Sequence, residues 1–179
     1  MRFLPLQLDG AYLIELEKIA DHRGFNARAW CPREFEQQGL DAVLAQINII
    51  SNARRGTLRG FHYQAAPMAE TKLFRVSKGG IYDVFVDLRP QSPTYRRWTS
   101  VELWADRYTM LYVPAGFGQG FQTLADDTEL VYQVSQFHSP EHGRGFRYDD
   151  PAFGVEWPLE ITEISQRDLD WPAWKEQAA

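Results

Sequence analysis

Between residues 44 and 134 apolar and polar positions alternate in short runs: Leu44–Ile50, Thr57–Gln64, Lys72–Val76, Ile81–Leu88, Trp98–Leu103, Met110–Val113 and Glu129–Val134. Turn residues separate them, among them Gly79-Gly80, Pro90–Pro93 and Pro114–Gly120. A period of two broken by such punctuation predicts strands. This many short strands need two sheets, so the pattern predicts an all-β sandwich or barrel. Within Ile81–Leu88, Tyr82, Val84, Val86 and Leu88 share one face, while Asp83 and Asp87 share the other with Ile81 and Phe85. That pattern predicts one core face and one mixed face. Helix is expected only as an accessory: two turns over Pro32–Gln38 stopped by Gly39, and a short turn capped by Ser165. Gly116–Gly120 follows a strand with no helix behind it to supply phosphate-binding amides, so it reads as a turn.

The chain has 179 residues with no linker or repeat, which predicts one domain over 1–179. Hydrophobic residues at 44% and charged residues at 24% place it among ordinary globular chains able to bury a core. Nineteen basic against 24 acidic residues leave a net charge of −5, which argues against nucleic acid as a partner and makes any anion recognition local. Cys31 has no second cysteine to pair with, in keeping with a reducing compartment. No apolar run reaches the roughly 18 residues of a membrane span, and residues 1–10 carry no basic-then-apolar leader, so a cytoplasmic protein with no membrane partner is expected. Aromatic residues make up 14%, enough to pack between sheets and still line part of a pocket.

The candidate chemistry is sparse. Of His22, His62, His138 and His142, the two closest in sequence span Pro140 in a loop, so no metal site is expected. Serine-hydrolase elbow, P-loop and dinucleotide fingerprints are absent. Leu58-Arg59-Gly60-Phe61-His62-Tyr63-Gln64 places Arg, His and Gln around a glycine able to bulge and re-aim side chains. His62 is either a hydrogen-bonded core residue or a proton-transfer group. Gln46 and Asn48 share a strand face, where two amides either read a ligand or bridge strands. Lys72 reads as an edge lysine, Tyr132 as a core aromatic beside Leu130 and Val134, and Asp168 as the acidic half of a capping box begun by Ser165.

Taken together and in order, several motifs resemble the cupin family of dTDP-4-dehydrorhamnose 3,5-epimerases. They are Asp21-His22-Arg23-Gly24-Phe25, residues 58–64, Asp83–Arg89, Ser92-Pro93-Thr94-Tyr95, Pro114-Ala115-Gly116-Phe117, Tyr132, Asp149-Asp150-Pro151, Glu156-Trp157-Pro158 and Ser165-Gln166-Arg167-Asp168. The resemblance implies a metal-free, cofactor-independent jelly roll of two antiparallel sheets. It also implies a homodimer that exchanges strands and in which the N-terminal segment of one subunit helps close the other's pocket. The substrate it implies is a nucleotide-diphosphate sugar of the dTDP-4-keto-6-deoxy-D-glucose type, epimerised at C3 and C5 on the way to L-rhamnose or related sugars. By the same resemblance His62 is the base, Asp168 pairs with it, Lys72 steadies charge on the C4 oxygen and Tyr132 returns a proton from the opposite face. Arg23, Arg59 and Arg167 become candidates for the diphosphate, and Phe25, Gln46, Asn48, Gln119 and His138 for the rest of the substrate.

Three positions depart from that pattern. Gln119 stands where the family commonly has His in Gly-Phe-x-His-Gly-Phe, and an amide cannot titrate near neutrality. Arg28 stands where an acidic residue is common, and His138 where a larger ring often stacks on the base. The alternatives are an enzyme acting at C3 alone or on another nucleotide, and a non-catalytic sugar-binding cupin. A metal-dependent cupin oxygenase lacks the imidazole cluster it would need.

Overall fold

The computed structural model describes residues 1–175. Its elements are β1 (Arg2–Pro5), β2 (Tyr12–Glu15), β3 (Lys18–Asp21), β4 (Gly24–Ala27), α1 (Pro32–Gln37), β5 (Gln46–Asn52), β6 (Thr57–Gln64), β7 (Lys72–Lys78) and β8 (Gly80–Asp87). They continue with β9 (Trp98–Trp104), a 3₁₀ turn (Ala105–Arg107), β10 (Thr109–Val113), β11 (Phe117–Thr123), β12 (Thr128–Val134), β13 (Gly143–Gly145), β14 (Glu163–Ile164) and α2 (Gln166–Leu169).

Two sheets face each other as a jelly roll, as expected. The first runs β1-β2-β10-β7-β12-β5 and the second β13-β6-β11-β8-β9, with β3 and β4 forming a separate hairpin. Pairing is antiparallel except at two-residue β14, which lies parallel to β6. Between the sheets, Phe74, Val76, Leu111, Val113 and Leu130 from the first meet Ile81, Phe85, Leu103, Phe117 and Phe121 from the second. Fully burying side chains of this size stabilises by about 1.5–3 kcal/mol each before the entropy of ordering the chain. Neither helix is long and apolar enough to cross a membrane.

Each sheet is also covered on its outer face. Phe35 of α1 packs with Ile14, Leu73, Met110 and Tyr112 over the first sheet. Phe146, Phe153 and Trp157 from the C-terminal segment pack with Phe61, Val84 and Val86 over the second. Strand β8 is therefore buried on both faces, where its sequence predicts one core face and one mixed face. The covering residues lie 60 or more positions away in the chain, beyond the reach of local periodicity. Strand β7 lies between β10 and β12. Lys72 is accordingly an interior-strand lysine and not the edge residue its position suggests.

Of the turn expected at Gly116–Gly120 only Gly116 lies in one; from Phe117 on the chain is β11, a strand buried along its whole length. Its glycines serve close approach. A Cβ on Gly118 would lie 2.6 Å from the Phe146 ring, and one on Gly60, where φ is +132°, would lie 2.4 Å from the Gly120 Cα.

Candidate active site

A bulge in β6 builds the site's first wall. Arg59 pairs with Phe121 and His62 with Gln119, so three steps on β6 match two on β11. Regular alternation would send Arg59 and His62 to opposite faces; the extra residue at Gly60–Phe61 brings both to the same side. The sequence foresaw a glycine able to do this.

That side opens on a cavity of about 520 Å³ between the sheets. Nine of the twelve candidate residues line it: Gln46, Asn48, Arg59, His62, Lys72, Gln119, Tyr132, His138 and Arg167. His62 enters from β6 in the second sheet and Tyr132 from β12 in the first, so imidazole and phenol come from facing walls.

Asp168 stands behind the imidazole, accepting from His62 Nε2 at 2.6 Å and from the Gly60 amide at 3.4 Å. Burial would raise its carboxyl, but hydrogen bonds and charge from His62, with help from Gly60 and Ser165, outweigh it and hold the group below the ordinary carboxylate range. An ionised Asp168 only accepts, so Nε2 carries a hydrogen and Nδ1 is left for a ligand. The capping reading of this residue is half met. Ser165 Oγ does accept from the Asp168 amide, while the Asp168 carboxylate bonds the imidazole and not the Ser165 backbone amide. Trp171 meets the His62 ring edge-on at 6.3 Å.

Opposite, Tyr132 is stacked on Phe74 with centroids 5.0 Å apart. Burial first, then the charge of Glu70, raises its phenol, with Arg59 pulling the other way, so the hydroxyl keeps its proton through the neutral range. Lys72 reaches the His62 carbonyl at 3.4 Å and the Glu70 carboxylate at 3.5 Å. Arg59 is braced by Asn52 at 2.8 Å, and Arg167 lies over Trp171 at 5.4 Å. Gln46 Oε1 accepts from the His138 amide at 2.6 Å, so this amide does at least bridge two segments.

Two candidates lie elsewhere. Arg23 is paired with Asp21 at 2.6 Å on the exposed β3–β4 hairpin, and Phe25 packs edge-on against Tyr108 at 4.8 Å. Neither lines the cavity of its own chain. Arg28, the charge reversal, forms an ion pair with Glu34 at 2.8 Å. Four polar lining residues, Tyr63, Gln64, Glu70 and Arg144, were not among the candidates for the site, although Tyr63 and Gln64 belong to the 58–64 motif. Gln64 closes the floor by donating to Met68 O, Glu70 Oε2 and Phe137 O and accepting from the Ser139 amide. Glu70 sits in the loop Ala65–Thr71, where no period marks it; its place two before Lys72 was the one signal. Among the described residues no group of three His, Cys, Asp or Glu is arranged to hold a metal ion.

The family described as dTDP-4-dehydrorhamnose 3,5-epimerase matches residues 5–176. The chain belongs to this family. The family's dTDP-4-dehydrorhamnose 3,5-epimerase from Sinorhizobium fredii is 40% identical over 97% of this chain and 89% of its own. A dTDP-4-dehydro-6-deoxyglucose 3-epimerase from a Streptomyces species is 38% identical over 94% of this chain and 86% of its own. Among solved structures, the Bacillus anthracis dTDP-4-dehydrorhamnose 3,5-epimerase, crystallised with TDP and PPi bound, superposes with a TM-score of 0.92. It is 35% identical, over 97% of this chain and 99% of its own. Membership makes the chain a nucleotide-sugar epimerase of the isomerase class on a cupin scaffold.

Proposed function

We propose that the cavity epimerises a dTDP-4-keto-6-deoxyhexose at C3 and C5, both carbons being acidified by the C4 ketone between them. His62 Nδ1 takes the proton from carbon. Asp168 holds the imidazole in the required tautomer and stabilises the imidazolium that forms. Lys72 offers its ammonium to the enolate oxygen. Tyr132 then delivers a proton from the other wall, which is what inversion requires and one group on one face cannot do. The observation that carries this reading is the entry of imidazole and phenol into one cavity from facing sheets. Arg59 and Arg167, with Arg144 beside them, suit the diphosphate because planar guanidinium donors match adjacent oxygens. Gln46, Asn48 and Gln119 are placed for the sugar and base, and His138 for stacking on the base.

The same reading takes the working unit to be a homodimer in the cytoplasm, with the partner's β3–β4 hairpin, carrying Arg23 and Phe25, closing this cavity. Supporting it, Ile47 and Ile49 on the edge strand β5 are 56% and 67% exposed, and Ile19 and Phe25 on the hairpin 76% and 40%. Long exposed apolar edges are otherwise a liability. Ile49→Asp should shift the sedimenting species toward monomer.

The deciding experiment is turnover of dTDP-4-keto-6-deoxy-D-glucose in D₂O followed by position-resolved NMR. Deuterium at C3 and C5 is expected, and His62→Ala or Tyr132→Phe should slow it by about 10²–10⁴-fold. Label at C3 alone would move the chain to the activity named for the Streptomyces relative. No exchange, with substrate bound equally by wild type and His62→Ala, would make it a sugar-binding cupin.

A further inference from the structure

Behind Gln119 lies a carboxyl group that the proposed chemistry does not use. Asp83, in the middle of β8, is fully buried. It shares a strand face with Ile81 and Phe85 of the inter-sheet core, and its register neighbours are Val101 on β9 and Phe121 on β11. Its hydrogen-bond partner is the Gln119 amide, whose Nε2 lies 3.0 Å from one carboxyl oxygen and 3.1 Å from the other. Among the described residues no cation touches it; Lys72 on β7 acts from a distance. Burial pushes the carboxyl up to about 8, against the pull of Gln119 and Lys72. On the amide, Gln119 Oε1 is buried without a partner.

An acid without an acceptor and an acceptor without a donor thus sit on the same two side chains. Shape does not distinguish the nitrogen and oxygen of an amide. Turning the Gln119 amide half a revolution puts its oxygen about 3 Å from the carboxyl, where a protonated Asp83 donates to it, and the orphaned acceptor disappears. The NH₂ group then takes the buried position that Oε1 held, so the acid fixes this cavity-lining side chain from behind.

We propose that Asp83 is a neutral carboxylic acid in the working protein, and that it positions Gln119, a residue of the cavity wall, by donating to its Oε1. An ionised Asp83 would set a second carboxylate, after Glu70, against Lys72 and weaken the one ammonium available to the enolate oxygen. The imidazole common in the family at 119 could be charged and pair with a carboxylate; the amide of this chain matches a neutral acid. The titratable and charged groups lining the cavity are Arg59, His62, Tyr63, Glu70, Lys72, Tyr132, His138, Arg144 and Arg167. The inference rests on the epimerase reading for its consequence and not for its measurement.

The test is a ¹³C NMR titration of protein labelled at the aspartate side-chain carboxyl. One resonance should titrate near pH 8 and vanish in Asp83→Asn; if every aspartate has ionised by pH 6, the proposal is wrong, whatever the enzyme does with sugars. In the D₂O assay, with wild type as the control for the reaction itself, Asp83→Asn still donates to Gln119 Oε1. It should keep kcat and KM within about threefold at pH 7 and lose the wild-type decline in activity near pH 8. Asp83→Leu, unable to donate, should raise KM by about tenfold. A folded Asp83→Asn slowed by a hundredfold at pH 7 would overturn the proposal in favour of an ionised Asp83.

Discussion

Strand β8 carries two buried aspartates on one face, four residues apart, and the chain treats them in opposite ways. At the end of the strand, Asp87 takes hydrogen bonds from Arg89 Nη2 at 2.7 Å, Thr94 Oγ1 at 2.6 Å and the Ser92 hydroxyl on one oxygen. Its other oxygen takes the Arg89 amide at 3.0 Å and Arg89 Nε at 2.9 Å. Burial would raise this carboxyl, but Arg89, Ser92 and Thr94 together hold it below the ordinary range. Asp83, one turn of the pleat inward, has an amide and no cation in contact, and burial pushes it up to about 8. Both are closed to solvent, but Asp83 lies deeper, so what separates the two carboxyls is depth together with the number of donors that reach each. The Asp83–Arg89 and Ser92–Tyr95 motifs therefore serve two purposes. One end pins the loop after β8; the other sets the wall of the cavity.

The comparison breaks most visibly at the well-satisfied end. Asp87→Ala strands the Arg89 guanidinium and two hydroxyls that now share one anion, and should cost about 3 kcal/mol in denaturant unfolding. A loss below about 1 kcal/mol would show that the loop had repaired itself and that the donors were not holding the fold.

Asp83→Asn should act next most strongly, and in the other direction. The folded-state value of Asp83 lies above the roughly 3.9 of an unfolded aspartate, so over this window the native state holds a proton that the unfolded chain has released. Stability then falls as pH rises from about 4 to about 8, by up to about 1.4 kcal/mol per unit, and levels off above. Asp87 has the reverse sign: its contribution is complete above about pH 4 and is lost as pH falls through its lowered folded value. Unfolding of Asp83→Asn should lack the neutral-range decline, so that its stability relative to wild type rises steadily from about pH 4 to about pH 8. Parallel curves for the two proteins across that range would remove the asymmetry between the aspartates.

How much of this could be read from the chain follows the range of the interactions. Strands with an alternating period, such as Thr57–Gln64, are visible because their faces differ in polarity. Strand β11 is not, because Gly116-Phe117-Gly118-Gln119-Gly120 looks like punctuation when its glycines are in fact places where Phe146 and Gly60 come close. The pairing of His62 with Asp168 spans 106 residues and no period predicts it; the two motifs mattered only as a resemblance. Glu70 lies in an irregular loop, and Arg23 and Phe25 lie on a hairpin that no contact within one chain brings to the cavity. The neutrality of Asp83 needed both its depth and its partner, neither of which a local pattern carries.

The smallest effect sharpens the comparison furthest. Ser92 gives Asp87 one hydroxyl among several donors, and its oxygen also takes the Thr94 amide at 3.1 Å. Ser92→Ala leaves Asp87 with Arg89 and Thr94, so the carboxylate stays ionised and the cost should be about 1 kcal/mol, that of a hydrogen bond to a charged group minus rearrangement. The acid limb of stability should move up in pH slightly, since one of the groups depressing Asp87 is gone. Were Ser92→Ala instead to cost as much as Asp87→Ala, the donors would act as a single unit, and counting them would no longer explain why one aspartate on β8 is charged and the other is not.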